Sequence, residues 1–101
     1  NEERFARAFA GGKFRMKKWG RIKIVNELQA RGLTNNCIAA GLTEIDADDY
    51  EATLLRVLEK KSEGIHDPNP YVRRNKISKF AIARGFEPEL VWQKLRLILP
   101  D

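Results

Sequence analysis

One cysteine and one histidine in 101 residues leave this chain short of the side chains that metal and redox chemistry requires. Cys37 has no internal partner for a disulfide; its place on an apolar helix position predicts a small buried residue. His66 with a single cysteine falls well short of the four ligands of a structural zinc site. A serine or cysteine nucleophile would need a base in reach, and the one histidine lies in a polar loop with only Asp67 beside it. We therefore expect no enzyme, no metal and no cofactor. No run approaches the roughly 18–20 apolar residues of a membrane span, and no charged-then-apolar leader opens the chain, so the sequence predicts a cytoplasmic protein without membrane contact. No segment alternates apolar and polar residues as a half-buried strand would. Gly11-Gly12-Lys13 lacks the remaining spacing and the preceding strand of a phosphate loop. The acidic pairs Glu2-Glu3 and Asp48-Asp49 read as first-turn partners of helix dipoles.

What is present is helix pattern, repeated. Arg21 to Leu42 aligns without a gap on Arg74 to Leu95 at an offset of 53, with identities at Arg21/Arg74, Lys23/Lys76, Ile24/Ile77, Ala30/Ala83, Arg31/Arg84, Gly32/Gly85 and Leu42/Leu95, 7 of 22 pairs. A fixed self-offset of this kind marks stacked helical units. The predicted fold is all-α, an elongated or right-handed array of two tandem three-helix repeats without a sheet, over residues 1–45 and 46–101.

Six helices are predicted. The first runs from about Glu2 to Phe14, with Gly11-Gly12 weakening its end, because each glycine costs about 1 kcal/mol relative to alanine inside a helix. The second runs from about Gly20 to Arg31 and is stopped by Gly32 in a left-handed cap; the third starts after Thr34 as N-cap. Asp46 caps the fourth, whose apolar face includes Tyr50, Leu54, Leu55, Val57 and Leu58. Asn69-Pro70 opens the fifth, and Gly85 stops it near Arg84. The sixth runs from about Pro88 to Leu99. Leu33 and Phe86 are placed to staple onto Ile38 and Val91 across their caps.

The formal charge is +5, and acid is scarce where base is dense. Residues 1–45 hold nine Lys/Arg against four Asp/Glu, whereas residues 46–101 hold ten of each. Lys13, Arg15, Lys17, Lys18, Arg21 and Lys23 share an eleven-residue window with no acid. Arg73, Arg74, Lys76 and Lys79 occupy the matching start of the fifth helix. Cations at a helix start oppose its dipole, so local stability does not account for them. They read either as one positive stripe for a polyanion or an acidic groove, or as a solvated face. Phe14, Met16 and Trp19 interleave with the first cluster; Phe14 reads as core, while Trp19 serves equally as an aromatic contact or as seam packing. Trp92 reads as structural.

Glu3-Arg4-Phe5-Ala6 opening a helix, the basic run to Trp19-Gly20-Arg21, the Ile24/Leu28 helix ending in Arg31-Gly32-Leu33, and the close through Lys76-Ile77, Phe80 and Arg84-Gly85-Phe86 together resemble the bacterial RecX family of regulatory proteins. The likeness covers nearly the whole chain; each motif alone is moderately specific, and their order and spacing are more so. Family members are built of tandem three-helix repeats, usually three. The resemblance implies that residues 1–45 and 46–101 are the second and third, with a first repeat absent, which suits a chain opening on Asn1. Glu3 stands where the family often has Asp.

The resemblance further implies regulation of the RecA recombinase: binding the RecA–DNA filament and limiting its ATPase, strand-exchange and coprotease activities, in DNA repair and the SOS response. RecA, its DNA filament and DNA itself are the implied partners of a monomer. From charge and repeat symmetry, Arg15, Lys17, Lys18, Arg21, Lys23, Arg73, Arg74, Lys76 and Lys79 are the candidate contacts, with Trp19 as an aromatic one. The alternative is a general nucleic-acid-binding module of helix-turn-helix-like units, against which the third helix counts: its exposed residues Asn35, Asn36 and Glu44 include no cation for phosphates or guanine edges.

Overall fold

The structure, a computed structural model, describes residues 1–99. It is all-α, with no strand among the described residues: α1 (Glu2–Lys17), α2 (Arg21–Ala30), α3 (Asn35–Leu42), α4 (Ala47–Gly64), α5 (Pro70–Ala83) and α6 (Pro88–Ile98). Helices α1 to α3 pack on one another, as do α4 to α6, giving an elongated molecule of 51 × 24 × 20 Å.

Local chemistry sets the helix ends. The side chains of Thr34, Asp46 and Asn69 accept from the N–H groups of Cys37, Asp49 and Tyr71, satisfying donors that a helix start leaves free. Gly32 and Gly85 close α2 and α5 at φ 81° and 98°, where an L side chain is strained, so one turn is built twice. The repeat extends to the core: Ile24 and Ile77, then Leu28 and Ala81, are fully buried at matching positions.

One boundary departs from the sequence reading. Helix α1 does not weaken to a stop near Phe14 but continues through Gly11-Gly12 to Lys17. The reason is tertiary. Phe14 is buried with its ring 5.8 Å from that of Tyr50, and burying such a side chain is worth about 1.5–3 kcal/mol, enough to offset the glycines. The helix ends instead on Lys18, a lysine in the left-handed region at φ 57°. Ala6, Ala10 and Gly11 form a buried small-residue face on α1, and α3 comes so close that a Cβ on Gly41 would lie 2.7 Å from the Ala6 carbonyl oxygen. Cys37 is only partly covered.

The two halves meet at a seam of main chain. Helix α2 has Gly20 as N-cap and no side-chain cap. Its first donors are taken by the second half: Gly20 N–H donates to the Arg84 carbonyl at 2.8 Å, Arg21 N–H to the Tyr50 hydroxyl at 2.9 Å, and Ile22 N–H to the Gly85 carbonyl at 2.9 Å. The C-terminal carbonyls of α5 thus face the N-terminus of α2, the favourable sense for both dipoles. Contact this close requires glycine. A Cβ on Gly20 would fall 2.2 Å from the Gly85 carbonyl carbon.

Candidate cationic interface

Tyr50 anchors the seam from below. It is fully buried between Phe14 and Phe86, whose ring lies 5.2 Å away, and its hydroxyl donates a short hydrogen bond to Glu87 while accepting from Arg21 N–H. The Arg21 guanidinium stacks 3.7 Å over the Tyr50 ring and donates to the other Glu87 oxygen at 2.8 Å. Burial works against the charge on Glu87, but the hydrogen bonds from Tyr50 and Arg21 outweigh it and hold the carboxyl below its usual range. Burial, and then the bond to Glu87, push the Tyr50 phenol well above its ordinary value. The triad is a structural joint, and the cation at the start of α2 has its counter-ion within it.

Other sequence candidates are engaged in the same way. Arg73 donates to the Ile65 and Ser62 carbonyls at 2.7 and 2.8 Å, capping the end of α4. Arg74 donates to the Leu99 carbonyl at 3.0 Å. Lys76 pairs with Asp67 at 3.2 Å, and the Asn69 N–H and this lysine hold the Asp67 carboxyl below its usual range. Arg74 stands ten residues before Arg84, the C-cap of α5, about 15 Å along the axis, so Arg73, Arg74 and Lys76 sit toward the far end of α5 from the seam.

Arg15, Lys17, Lys18, Lys23 and Lys79 have no ion-pair partner among the described residues. Lys17, Lys18 and Lys23 gather by the seam. Trp19 is half-buried there, edge-on to Phe9 at 6.2 Å, with the ammonium groups of Lys13 and Lys23 4.9 and 4.6 Å from its ring centre. Lys79 is exposed midway along α5, and Arg15 is exposed on α1.

The structure adds cations that the sequence reading passed over. Arg56, Lys60 and Lys61 of α4 and Arg84 at the end of α5 face Lys18 across a cleft of about 570 Å³, with Thr53, Val57, Gly64 and Phe80 completing its wall. Arg84 donates to the Lys17 carbonyl at 3.0 Å, and Arg56 donates to the Thr53 hydroxyl at 3.1 Å. Lys61 and Arg84 both cover the Phe80 ring, at 4.3 and 4.9 Å from its centre. A smaller hollow adjoins, sharing Phe80 and Arg84 and lined also by Lys17, Trp19 and Lys23. One signal for this cleft lay in the sequence: Arg56, Lys60 and Lys61 recur at four and five residues, one side of a helix.

Comparison with known proteins fits this architecture. Residues 1–42 match the family model of the second three-helix domain of RecX, and residues 48–95 that of the third. The chain belongs to the RecX family. It is 34% identical over 85 residues to a protein of Pelodictyon phaeoclathratiforme named Regulatory protein RecX, an alignment covering 84% of this chain and 51% of that protein. The chain therefore spans about half the length of the curated relative it matches. No solved structure matches it. Among the described residues no group of three or more His, Cys, Asp or Glu side chains is placed to hold a metal, and no helix is long and apolar enough to cross a membrane.

Proposed function

We propose that this RecX-family chain is a non-enzymatic regulator that binds the RecA recombinase on its DNA filament and limits its ATPase, strand-exchange and coprotease activities, acting through repeats 1–45 and 46–101. The observation that carries this reading is the set of cations without ion-pair partners among the described residues, Lys17, Lys18 and Lys23 by the seam with Arg15 and Lys79 on α1 and α5, on an elongated two-part array, joined to membership of a family whose relative is named a regulatory protein. A long positive surface suits a long polyanionic partner. Arg15, Lys17, Lys18, Lys23 and Lys79 are the contacts in this reading, while Arg21 joins the two units and Arg73, Arg74 and Lys76 are engaged within the second. Helix α3 offers Asn35 and Asn36 but no cation, which disfavours a helix-turn-helix reader.

The test is fluorescence anisotropy with a labelled single strand, bare and coated with RecA, at about 0.15 M salt, alongside the ATPase rate of the filament. Markedly tighter binding to the coated strand and a falling ATPase rate, both lost in Arg15→Glu/Lys17→Glu/Lys79→Glu, are the expected results. Equal or tighter binding to the bare strand would refute the reading.

A further inference from the structure

We infer that the cleft between the end of α1, helix α4 and the end of α5 is a binding site for the sugar–phosphate backbone of a nucleic-acid strand. The inference rests on the regulator reading for its setting, since a filament carries nucleic acid as well as protein, but its chemistry is argued from the cleft. Lys18, Arg56, Lys60, Lys61 and Arg84 converge on one hollow, and no acid among the described residues lines it. Like charges gathered without a counter-ion repel one another, so this grouping costs the folded state stability. The seam uses only Arg84 of the five, through its bond to the Lys17 carbonyl; the rest of the joint is main chain, Tyr50 and the Arg21–Glu87 pair, so Lys18, Arg56, Lys60 and Lys61 are not required by it.

The cations are also held in place without being neutralised. The partners of Arg84 and Arg56 are a carbonyl and a hydroxyl, so both guanidinium groups are oriented yet keep full charge and free donors. Lys18 takes a left-handed backbone conformation that glycine or asparagine adopts more readily, and its ammonium donates to the Arg15 carbonyl at 2.7 Å.

Extent and composition choose the ligand. One carboxylate or one phosphate is saturated by two or three cations, whereas this site has five and runs into a second hollow with Lys17 and Lys23. A strand supplies a run of negative charges at regular spacing. Phe80 and Trp19 lie among the cations, as in surfaces that track a strand and stack its bases. A phosphate that draws Lys61 off Phe80 exposes a ring face to a base.

The experiment measures anisotropy of a labelled single-stranded oligonucleotide without RecA across a salt series, with polyglutamate and inorganic pyrophosphate as competitors. Arg56→Gln/Lys61→Gln removes two cleft charges; Arg4→Gln/Arg96→Gln removes two exposed charges elsewhere and serves as the matched control. If each cleft cation neutralises one phosphate, removing it lowers affinity about 5-fold at roughly 0.1 M monovalent salt. The cleft variant should therefore bind about 25-fold more weakly, with its log–log salt slope shallower by about 1.4, while the control changes less than about 3-fold. Lys60→Gln, at a side chain without a hydrogen bond or ion pair among the described residues, should give about 5-fold and guards against misfolding of the double variant.

Equal loss in the control, or no binding by the wild-type chain, overturns the inference. Competition by polyglutamate as effective as by unlabelled strand would make an acidic protein the occupant, and equally effective pyrophosphate a small phosphate; either outcome overturns it. Measuring the same variants on the RecA-coated strand separates the two proposals. A chain that binds bare strand through the cleft but ignores the filament sinks the regulator reading and leaves the cleft. A chain that binds the filament but no bare strand does the reverse.

Discussion

Replacing Tyr50 by phenylalanine tests the seam with the least disturbance to packing, because the ring and its contacts with Phe14 and Phe86 remain. Two hydrogen bonds go: the one donated to the Glu87 carboxylate and the one accepted from Arg21 N–H. A hydrogen bond to a charged group is worth about 1.5–3 kcal/mol, and the stranded N–H costs about 1–3 kcal/mol more if nothing replaces its partner. The Arg21 and Glu87 side chains are 32% and 34% exposed, so water replaces part of both, and the loss should settle near 2 kcal/mol. For a chain of this size that lowers Tm by about 8–16 °C, read by circular dichroism during heating and checked by urea unfolding. Glu87→Gln on the two backgrounds completes a double-mutant cycle, whose coupling should be about 1–2 kcal/mol. A loss below about 0.5 kcal/mol with no coupling would refute the reasoning, leaving apolar packing and main-chain bonds as the whole joint.

Gly20→Ala drives a methyl group into the Gly85 backbone, which has no flexible end to move, so the halves should separate and the radius of gyration should rise above 14.9 Å in X-ray scattering. Gly12→Ala should do the opposite to stability: its Cβ meets only the Met16 methyl at 3.5 Å, and removing a helix-interior glycine should add about 0.5–1 kcal/mol in thermal unfolding. The stabilisation from Glu87 is linked to pH through a lowered carboxyl, so it is present above the ordinary 4.5 and lost as pH falls through the folded value; the stability gap between wild type and Glu87→Gln should close below about pH 4.5 in acid titration. At the alkaline end the Tyr50 phenol is raised, so its contribution is complete below the ordinary 10.0 and declines as pH climbs beyond it, a loss that Tyr50→Phe should not show when the two are titrated side by side.

The turns were legible because they are local. Glycine at a left-handed position, a capping side chain and a first-turn proline act within four residues, and the self-offset of 53 doubled each signal. The end of α1 was misread because the contact that carries the helix past Gly11-Gly12, Phe14 against Tyr50, spans 36 residues. The cations read as opposing a helix start divide in the structure: Arg15, Lys17 and Lys18 fall in the last turn and C-cap of α1, where the dipole favours them, because that helix runs on to Lys17. Of those at helix starts, Arg21 answers to Glu87, 66 residues away, and Arg73 to the end of α4, whereas Lys23 has no ion-pair partner among the described residues. Repeat symmetry pointed toward the start of α5, but the cleft draws on α4 and the opposite end of α5, because the seam joins unlike parts of the two units.

That last property has a geometric consequence. The start of α2 on one unit docks into the turn after α5 on the next, so the two joined surfaces differ and the operation relating the units is heterologous, a displacement rather than a two-fold. The turn equivalent to the docking turn, at Gly32, stands open, with nothing within 4 Å of where its Cβ would be. Such an operation does not close after a single pair as a two-fold joint would: applied again it adds further units in the same sense, as the successive subunits of a ring or a helical polymer do.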